Sequence, residues 1–293
     1  MWTSFIRSFL TCYSFPDECV NPLIEAAEKL ENNAAFCKAL NAYESGAIHT
    51  QKEFSAVLAE LQQDTDCNDT TEFLLFLLSM KALRVRYEES GLPIASYDGV
   101  AGDLRSKLLE CRKVKGTWGS FVASWFIGFF TLDRFVFGRL QYELISMPAC
   151  ISADGKLCFQ GEPAVNMHIP SGCPLVREEV RSSMKEAARF YAAYFPNGSV
   201  LFTCNSWLLF PGHYQMLPET SGIRQFMDEF TLVCTGIFKP GDEDDLWRVF
   251  NTFDTDDLSE LPQNTSLQRG YVRWLREGRP IGYGIGIRRL EIV

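Results

Sequence analysis

Three short segments of the 293-residue chain carry side chains that can move protons or hold anions. The first reads Asn166-Met167-His168-Ile169-Pro170-Ser171-Gly172-Cys173-Pro174-Leu175. Val165, Met167 and Ile169 alternate with Asn166 and His168, the period of a strand, which sets the imidazole on the face of Asn166. A strand-end imidazole just before a loop has the chemistry of a general base. The loop reads as a turn into a helix with Pro174 at its first position. A helix start offers unpaired N–H groups and the positive end of the dipole, hence a place for an anion. Gly172 lets backbone approach a phosphate, and Arg177 and Arg181 add charge, whereas Glu178 and Glu179 oppose one. A structural turn and a hydrogen-bonded structural histidine account for the same residues without a ligand.

The second segment is Phe202-Thr203-Cys204-Asn205-Ser206-Trp207-Leu208-Leu209. Cys204 and Ser206 share a strand face, and either as nucleophile needs a base, for which only His168 and His213 are near in sequence. No G-x-S-x-G elbow is present, so a buried thiol and a backbone-satisfied hydroxyl are the plainer reading. The third segment runs from Arg279 to Ile287, where Gly282, Gly284 and Gly286 leave one face of a strand bare. Such a face invites close approach by a ligand or a packed element. It formally fits R-x-x-G-x-G, yet only seven residues follow Gly286, too few for the helix a phosphate loop requires.

Other patterns exclude chemistry. The ten Cys include no C-x-x-C, and His49, His168 and His213 stand far from any paired cysteines, so no metal site is expected and most Cys read as small buried hydrophobes. The acids from Asp242 to Asp245 with Asp254, Asp256 and Asp257 lack calcium-loop spacing and read as solvated surface. The net charge of −9 argues against nucleic acid as a partner. The runs Phe73 to Leu78 and Phe121 to Phe130 fall short of the roughly 18–20 residues of a membrane span, and the N-terminus lacks a signal-peptide pattern. A cytoplasmic protein is expected.

The elements that must position these residues follow from periodicity. Residues 1–115 read as helical. Leu23, Ile24, Ala27 and Leu30 form one stripe after Pro22 at a helix start, and Phe36, Leu40 and Tyr43 another. Phe54, Val57, Leu58 and Leu61 make a third. Asp69 with Glu72 resembles a capping box before a helix ending at Ser90-Gly91, and Leu104, Leu108 and Cys111 mark a short helix stopping near Gly116. The boundary is expected near Lys113 to Gly119. Residues 116–293 then alternate: a strand or strand pair from Phe130 to Ile145 with Gly138 as bulge or bend, a turn at Asp154-Gly155, strands at Leu157 to Gln160 and Val165 to Ile169, a helix from Pro174, and a strand from Val200 to Leu209. Further strands at Leu232 to Phe238 and Ile281 to Arg289 flank short helices at Ile223 to Phe230, Asp244 to Phe250 and Ser266 to Glu277. The class is α+β, with 23 Phe concentrated toward a sheet core.

His168 to Leu175, Cys204 to Leu209 and Leu261-Pro262-Gln263-Asn264-Thr265-Ser266-Leu267-Gln268-Arg269 together resemble a group of bacterial acyltransferase-domain proteins. These have a helical N-acyltransferase N-terminal domain and a C-terminal domain similar to the GCN5-related N-acetyltransferase (GNAT) fold. The resemblance implies a mixed, mostly antiparallel sheet with flanking helices, and acetyl-CoA or another acyl-CoA as co-substrate. It implies that Ile169, Ser171, Gly172, Cys173, Leu175 and Arg177 hold the cofactor, with pantetheine in the gap where the Val200 to Leu209 strand splays from its neighbour. His168 would deprotonate a small-molecule amine, and Ser206 or Tyr214 would reprotonate the leaving thiolate; Cys204 is the alternative nucleophile. The loop departs from the family pattern Arg/Gln-x-x-Gly-x-Gly/Ala, with Cys173 where another small residue is usual. A non-catalytic binding or scaffold protein on a degenerate acyltransferase fold is the rival expectation.

Overall fold

The computed structural model describes residues 2–147, 150–151, 157–158, 161–239 and 246–292. The expected turn at Asp154-Gly155 and the acids Asp242 to Asp245 lie outside the described residues. The chain divides into two compact units, Met1–Val136 and Phe137–Val293.

The first unit is helical: α1 (Trp2–Cys12), α2 (Asp17–Leu30), α3 (Ala34–Glu44), α4 (Gln51–Leu61), α5 (Asp69–Glu89), α6 (Ile94–Lys115) and, after a 3₁₀ turn at Ala123–Phe126, α7 (Ile127–Phe130). The expected stripes are its core: Leu23, Ala27, Phe36, Leu40, Phe54 and Leu58 are buried. Helix α5 is buried from Phe73 to Met80 without a break, which marks it as the central helix. Its cap is Asn68, whose side chain accepts from the N–H groups of Thr70 and Thr71, and not the expected Asp69. Pro22 lies inside α2, which begins earlier, at Asp17. Helix α6 is 22 residues long where a short helix was expected, and it stops where expected, at Gly116 with φ +71.

The second unit is built on a sheet whose first strand begins in the last residues of the first unit. Its strands are β1 (Arg134–Phe137), β2 (Leu140–Ser146), β5 (Pro163–His168), β6 (Ser199–Ser206), β7 (Thr231–Ile237) and β8 (Gly282–Glu291), in the order β1-β2-β5-β6-β8-β7. The short strands β3 (Cys150–Ile151) and β4 (Leu157–Cys158) pair separately. Pairs β2–β5, β6–β8 and β7–β8 are antiparallel and β5–β6 is parallel, so the sheet is mixed and mostly antiparallel. The expected Phe130 to Ile145 strand starts only at Arg134, because Phe130 ends α7 and Leu132 turns with φ +61. Gly138, at φ +53, makes the bend between β1 and β2.

The helices of this unit are α8 (Arg177–Phe190), α9 (His213–Met216), α10 (Gly222–Met227), α11 (Leu246–Phe250) and α12 (Ser266–Arg276), of which α8 packs on β2 and β8. Tyr142, Val165, Met167, Phe202 and Cys204 fill one face of the sheet, and α8 buries Val180, Met184 and Ala187. Tyr142 and Ser183 tie the two layers by a 2.8 Å hydroxyl–hydroxyl hydrogen bond. A second apolar cluster joins Phe210, Met216, Phe250, Tyr271 and Trp274. Thr265 starts α12 with a full capping box to Gln268.

The bare glycine face of β8 is covered by the chain itself. A Cβ on Gly284 would lie 2.4 Å from the Leu209 carbonyl oxygen, and one on Gly286 would lie 2.8 Å from Phe230 Cβ.

Candidate functional site

Strands β5 and β6 run in the same direction and end beside each other. Their pairing covers Val165–Phe202 and Asn166–Thr203. Beyond those two positions β5 continues to His168 and β6 to Ser206 without ladder pairing between them. Two parallel strands that part at their carboxyl ends open a gap in the sheet, the usual place for a ligand in such sheets.

His168 closes β5. Its Nε2 lies 2.8 Å from Glu143 Oε1, and Asn166 Nδ2 donates to the same oxygen at 3.0 Å. The register makes this cluster: β2 places Glu143 directly opposite Asn166 and Gln141 opposite His168. Nε2 also lies 3.1 Å from Asn166 Nδ2; with that amide donating to Glu143, the carboxylate accepts from Nε2–H and the imidazole's basic lone pair is on Nδ1. The His168 and Glu143 side chains keep 21% and 16% of their surface exposed, enough to be reached from solvent while the pair stays partly desolvated. The Gln141 amide is buried with no hydrogen-bond partner among the described residues, a costly state unless a further group satisfies it.

The loop after His168 is held from below and open above. Gly172 has φ +96, a conformation that favours glycine. Arg139 donates to the carbonyls of Cys173 (2.7 Å) and Pro174 (3.3 Å), and Leu175 packs against Gly222. Ser171, Gly172 and Cys173 are exposed, and no backbone hydrogen bond among the described residues engages their N–H groups. Helix α8 starts at Arg177, not at the expected Pro174, because Val176 is still extended. No side chain caps it, so the first-turn N–H groups point out unpaired. Loop and helix start together present backbone donors with the sign that suits an anion.

The other candidate residues fall in different places. Asn166 pairs with Thr203, so His168 shares its face with Thr203 and Asn205, while Cys204 and Ser206 point to the opposite face. Cys204 is wholly buried, and burial pushes its thiol up to about 12. Among the described residues no hydrogen bond joins it to a base, the arrangement a thiolate nucleophile requires. Ser206 ends β6 and caps the 3₁₀ turn Trp207–Leu209 by accepting from the Leu208 N–H. Tyr214, in α9, donates to Asp228 and is held above its ordinary range by burial and that carboxylate. Ile169 and Leu175 are half-buried at the two ends of the loop. Arg177 is bound to Glu229 at 2.6 Å.

Glu143 is the member of this cluster that sequence reasoning missed. Its signal was an acid inside an apolar strand; its partner depended on the β2–β5 register.

The family comparison decides what frame this site belongs to. Residues 4–132 match the N-acyltransferase N-terminal domain, and residues 135–288 match the GNAT-like C-terminal domain. The chain belongs to this N-acyltransferase family. Solved acyltransferases share its fold. One in complex with decanoyl-CoA is 24% identical, covers 98% of this chain and 88% of its own, and has a TM-score of 0.73. Another, in complex with decanoyl-CoA and teicoplanin, is 22% identical over 97% of this chain and 87% of its own, also at 0.73. A mutant in complex with octanoyl-CoA matches at 0.74 with 22% identity, covering 97% of this chain and 87% of its own. No curated protein matches the chain. Among the described residues, no helix of this N-acyltransferase family member is long and apolar enough to cross a membrane.

Proposed function

We propose that this acyltransferase moves an acyl group from acyl-CoA to a small-molecule amine by direct attack. The observation that carries the reading is the Glu143–His168 pair at the end of β5, beside the gap where β5 and β6 part and just ahead of a loop with unused N–H groups. That four matching acyltransferase structures were solved with acyl-CoA or CoA, two of them with teicoplanin or 10C-teicoplanin also bound, supports an acyl-CoA donor and a second molecule as acceptor.

In this reading Ser171, Gly172 and Cys173 donate backbone hydrogen bonds to the pyrophosphate, with Ile169 and Leu175 flanking it. Arg177 stands in the first turn of α8, but its guanidinium is paired with Glu229, so the loop N–H groups carry most of the anion's hold. The pantetheine arm enters the gap, and the freed backbone of the parting strands polarises the thioester carbonyl. His168 Nδ1 takes the proton of the acceptor amine as its nitrogen bonds to the carbonyl carbon. Glu143 holds the ring in that tautomer and stabilises the imidazolium that forms. The C–S bond then breaks, and the thiolate regains a proton from solvent, since Ser206 points to the face opposite His168. The Tyr214 hydroxyl, whose hydrogen goes to Asp228, is the other proton donor the sequence offered for that step.

Calorimetric titration with decanoyl-CoA and with CoA tests the reading. Saturable binding is expected, lost on replacing Gly172, whose positive φ a side chain strains. No binding at millimolar concentration would overturn it in favour of a scaffold on a degenerate fold.

A further inference from the structure

Away from the gap, three guanidinium groups converge on one buried carboxylate. Glu229, with a side chain only 2% exposed, accepts from Arg177 at 2.6 Å, from Arg181 at 2.9 Å and from Arg288. The charge does not balance. Three cations face one anion, and Lys185 adds a fourth cation with no ion-pair partner among the described residues. Arg177, Arg181 and Lys185 recur every four residues of α8, so they lie along one ridge, where like charges repel. Arg288 reaches the same place from β8. Burial, and then the nearness of Arg181 and Arg177, hold its guanidinium below the ordinary range.

Such crowding costs stability unless an anion relieves it. The space for one is present: Arg181, Lys185 and Arg288 line a cavity of about 220 Å³ between α8 and β8, with Met184 and Leu290 as its apolar walls. Guanidinium groups suit phosphate oxygens by their fork of donors, and Lys185 supplies a point charge. Glu229 serves as the internal brace that fixes the guanidinium groups and neutralises one of them. The chain as a whole carries −9, so this local excess is built against the overall field.

We propose that the cavity between α8 and β8 is a binding site for a phosphomonoester dianion, separate from the loop at Ser171 to Cys173. The dianion comes either from the 3′-phosphate of a CoA molecule or from a free phosphate. The site does not depend on the acyl-CoA reading.

The test titrates inorganic phosphate, CoA and 3′-dephospho-CoA into the full chain and into Arg181→Gln and Lys185→Glu. Both side chains are exposed, and Arg181→Gln leaves Arg177 and Arg288 on Glu229, so both variants are expected to keep the wild-type circular dichroism; Lys185→Gln replaces Lys185→Glu if that one does not. Wild type is expected to bind phosphate, and each variant to weaken it by about tenfold, the loss of one charge-assisted contact. A wild-type preference for CoA over 3′-dephospho-CoA that the variants erase assigns the dianion to CoA. Equal affinity for the two, with phosphate still bound in their presence, assigns it to free phosphate. Unchanged affinities for all three ligands in the variants overturn the proposal, as does a wild type that binds no phosphate and does not distinguish the two CoA forms. Failure of both CoA forms to bind counts against the acyl-CoA reading alone, because the phosphate titration still decides the site.

Discussion

Acidification is expected to unlock the second unit through His213. This imidazole is fully buried in the cluster around Tyr271 and Phe210. Its Nδ1 lies 3.2 Å from the Leu208 carbonyl oxygen and its Nε2 2.9 Å from the Tyr271 hydroxyl. A carbonyl only accepts, so Nδ1 carries the hydrogen and Nε2 accepts from Tyr271. A second proton would have to enter at Nε2, turn the Tyr271 hydroxyl round and place a charge in an apolar cluster. Burial therefore pulls the His213 pKa from 6.5 down to about 4, with the Leu208 carbonyl opposing in part. Between those values the unfolded chain binds a proton that the folded chain refuses. The stabilisation is complete above pH 6.5 and is lost as the pH falls toward 4. At about 1.4 kcal/mol for each tenfold, the loss comes to about 3 kcal/mol. Urea denaturation of wild type and His213→Gln from pH 7.5 to 4 measures it, since carboxylates common to both cancel in the difference. The wild type is expected to lose about 3 kcal/mol more than the variant over this range. Parallel pH curves would refute the assignment of a buried neutral imidazole.

Three further outcomes follow from the packing and the site. Gly284→Ala, which forces a Cβ against the Leu209 carbonyl, is expected to cost about 1–3 kcal/mol, whereas Gly102→Ala, inside α6 with open space beside it, should add up to about 1 kcal/mol; thermal denaturation compares them. Iodoacetamide at neutral pH should label the exposed Cys173 and leave Cys204 untouched, as read by peptide mass spectrometry; rapid labelling of Cys204 would restore the thiolate route. His168→Ala should lower acyl transfer to an amine acceptor by about 10²–10⁴-fold, and Glu143→Gln by less, with a shifted pH profile; an unchanged His168→Ala rate would take the imidazole out of the mechanism.

Much of this architecture was legible along the chain because burial repeats with the period of each element. The stripes of α2, α3 and α4 and the alternation around Asn166 and His168 have buried sides where the pattern put them. The faces of Asn166 and His168, and of Cys204 and Ser206, needed nothing beyond period 2. Element ends were less legible, since they are fixed by tertiary contacts. Pro174 looks like a helix start, yet Arg139 holds its carbonyl in the loop and α8 waits for Arg177. The bare face at Gly282, Gly284 and Gly286 left ligand and packed chain equally open, and only the positions of Leu209 and Phe230 resolve it. Glu143 and Glu229 were invisible as members of these clusters because each meets partners far away in sequence. Glu143 reaches His168 through strand register, and Glu229 collects arginines from α8 and β8.

The central claim is that acyl-CoA lies along the Ser171 to Cys173 loop with its thioester in the gap beside His168. A crystal structure of the chain soaked with decanoyl-CoA tests this most directly. The account predicts pyrophosphate density on the backbone N–H groups of Ser171, Gly172 and Cys173, and the thioester carbonyl between the parted ends of β5 and β6, on the side of the Glu143–His168 pair. Decanoyl-CoA bound elsewhere, or a loop and gap left empty at saturating ligand, would contradict it.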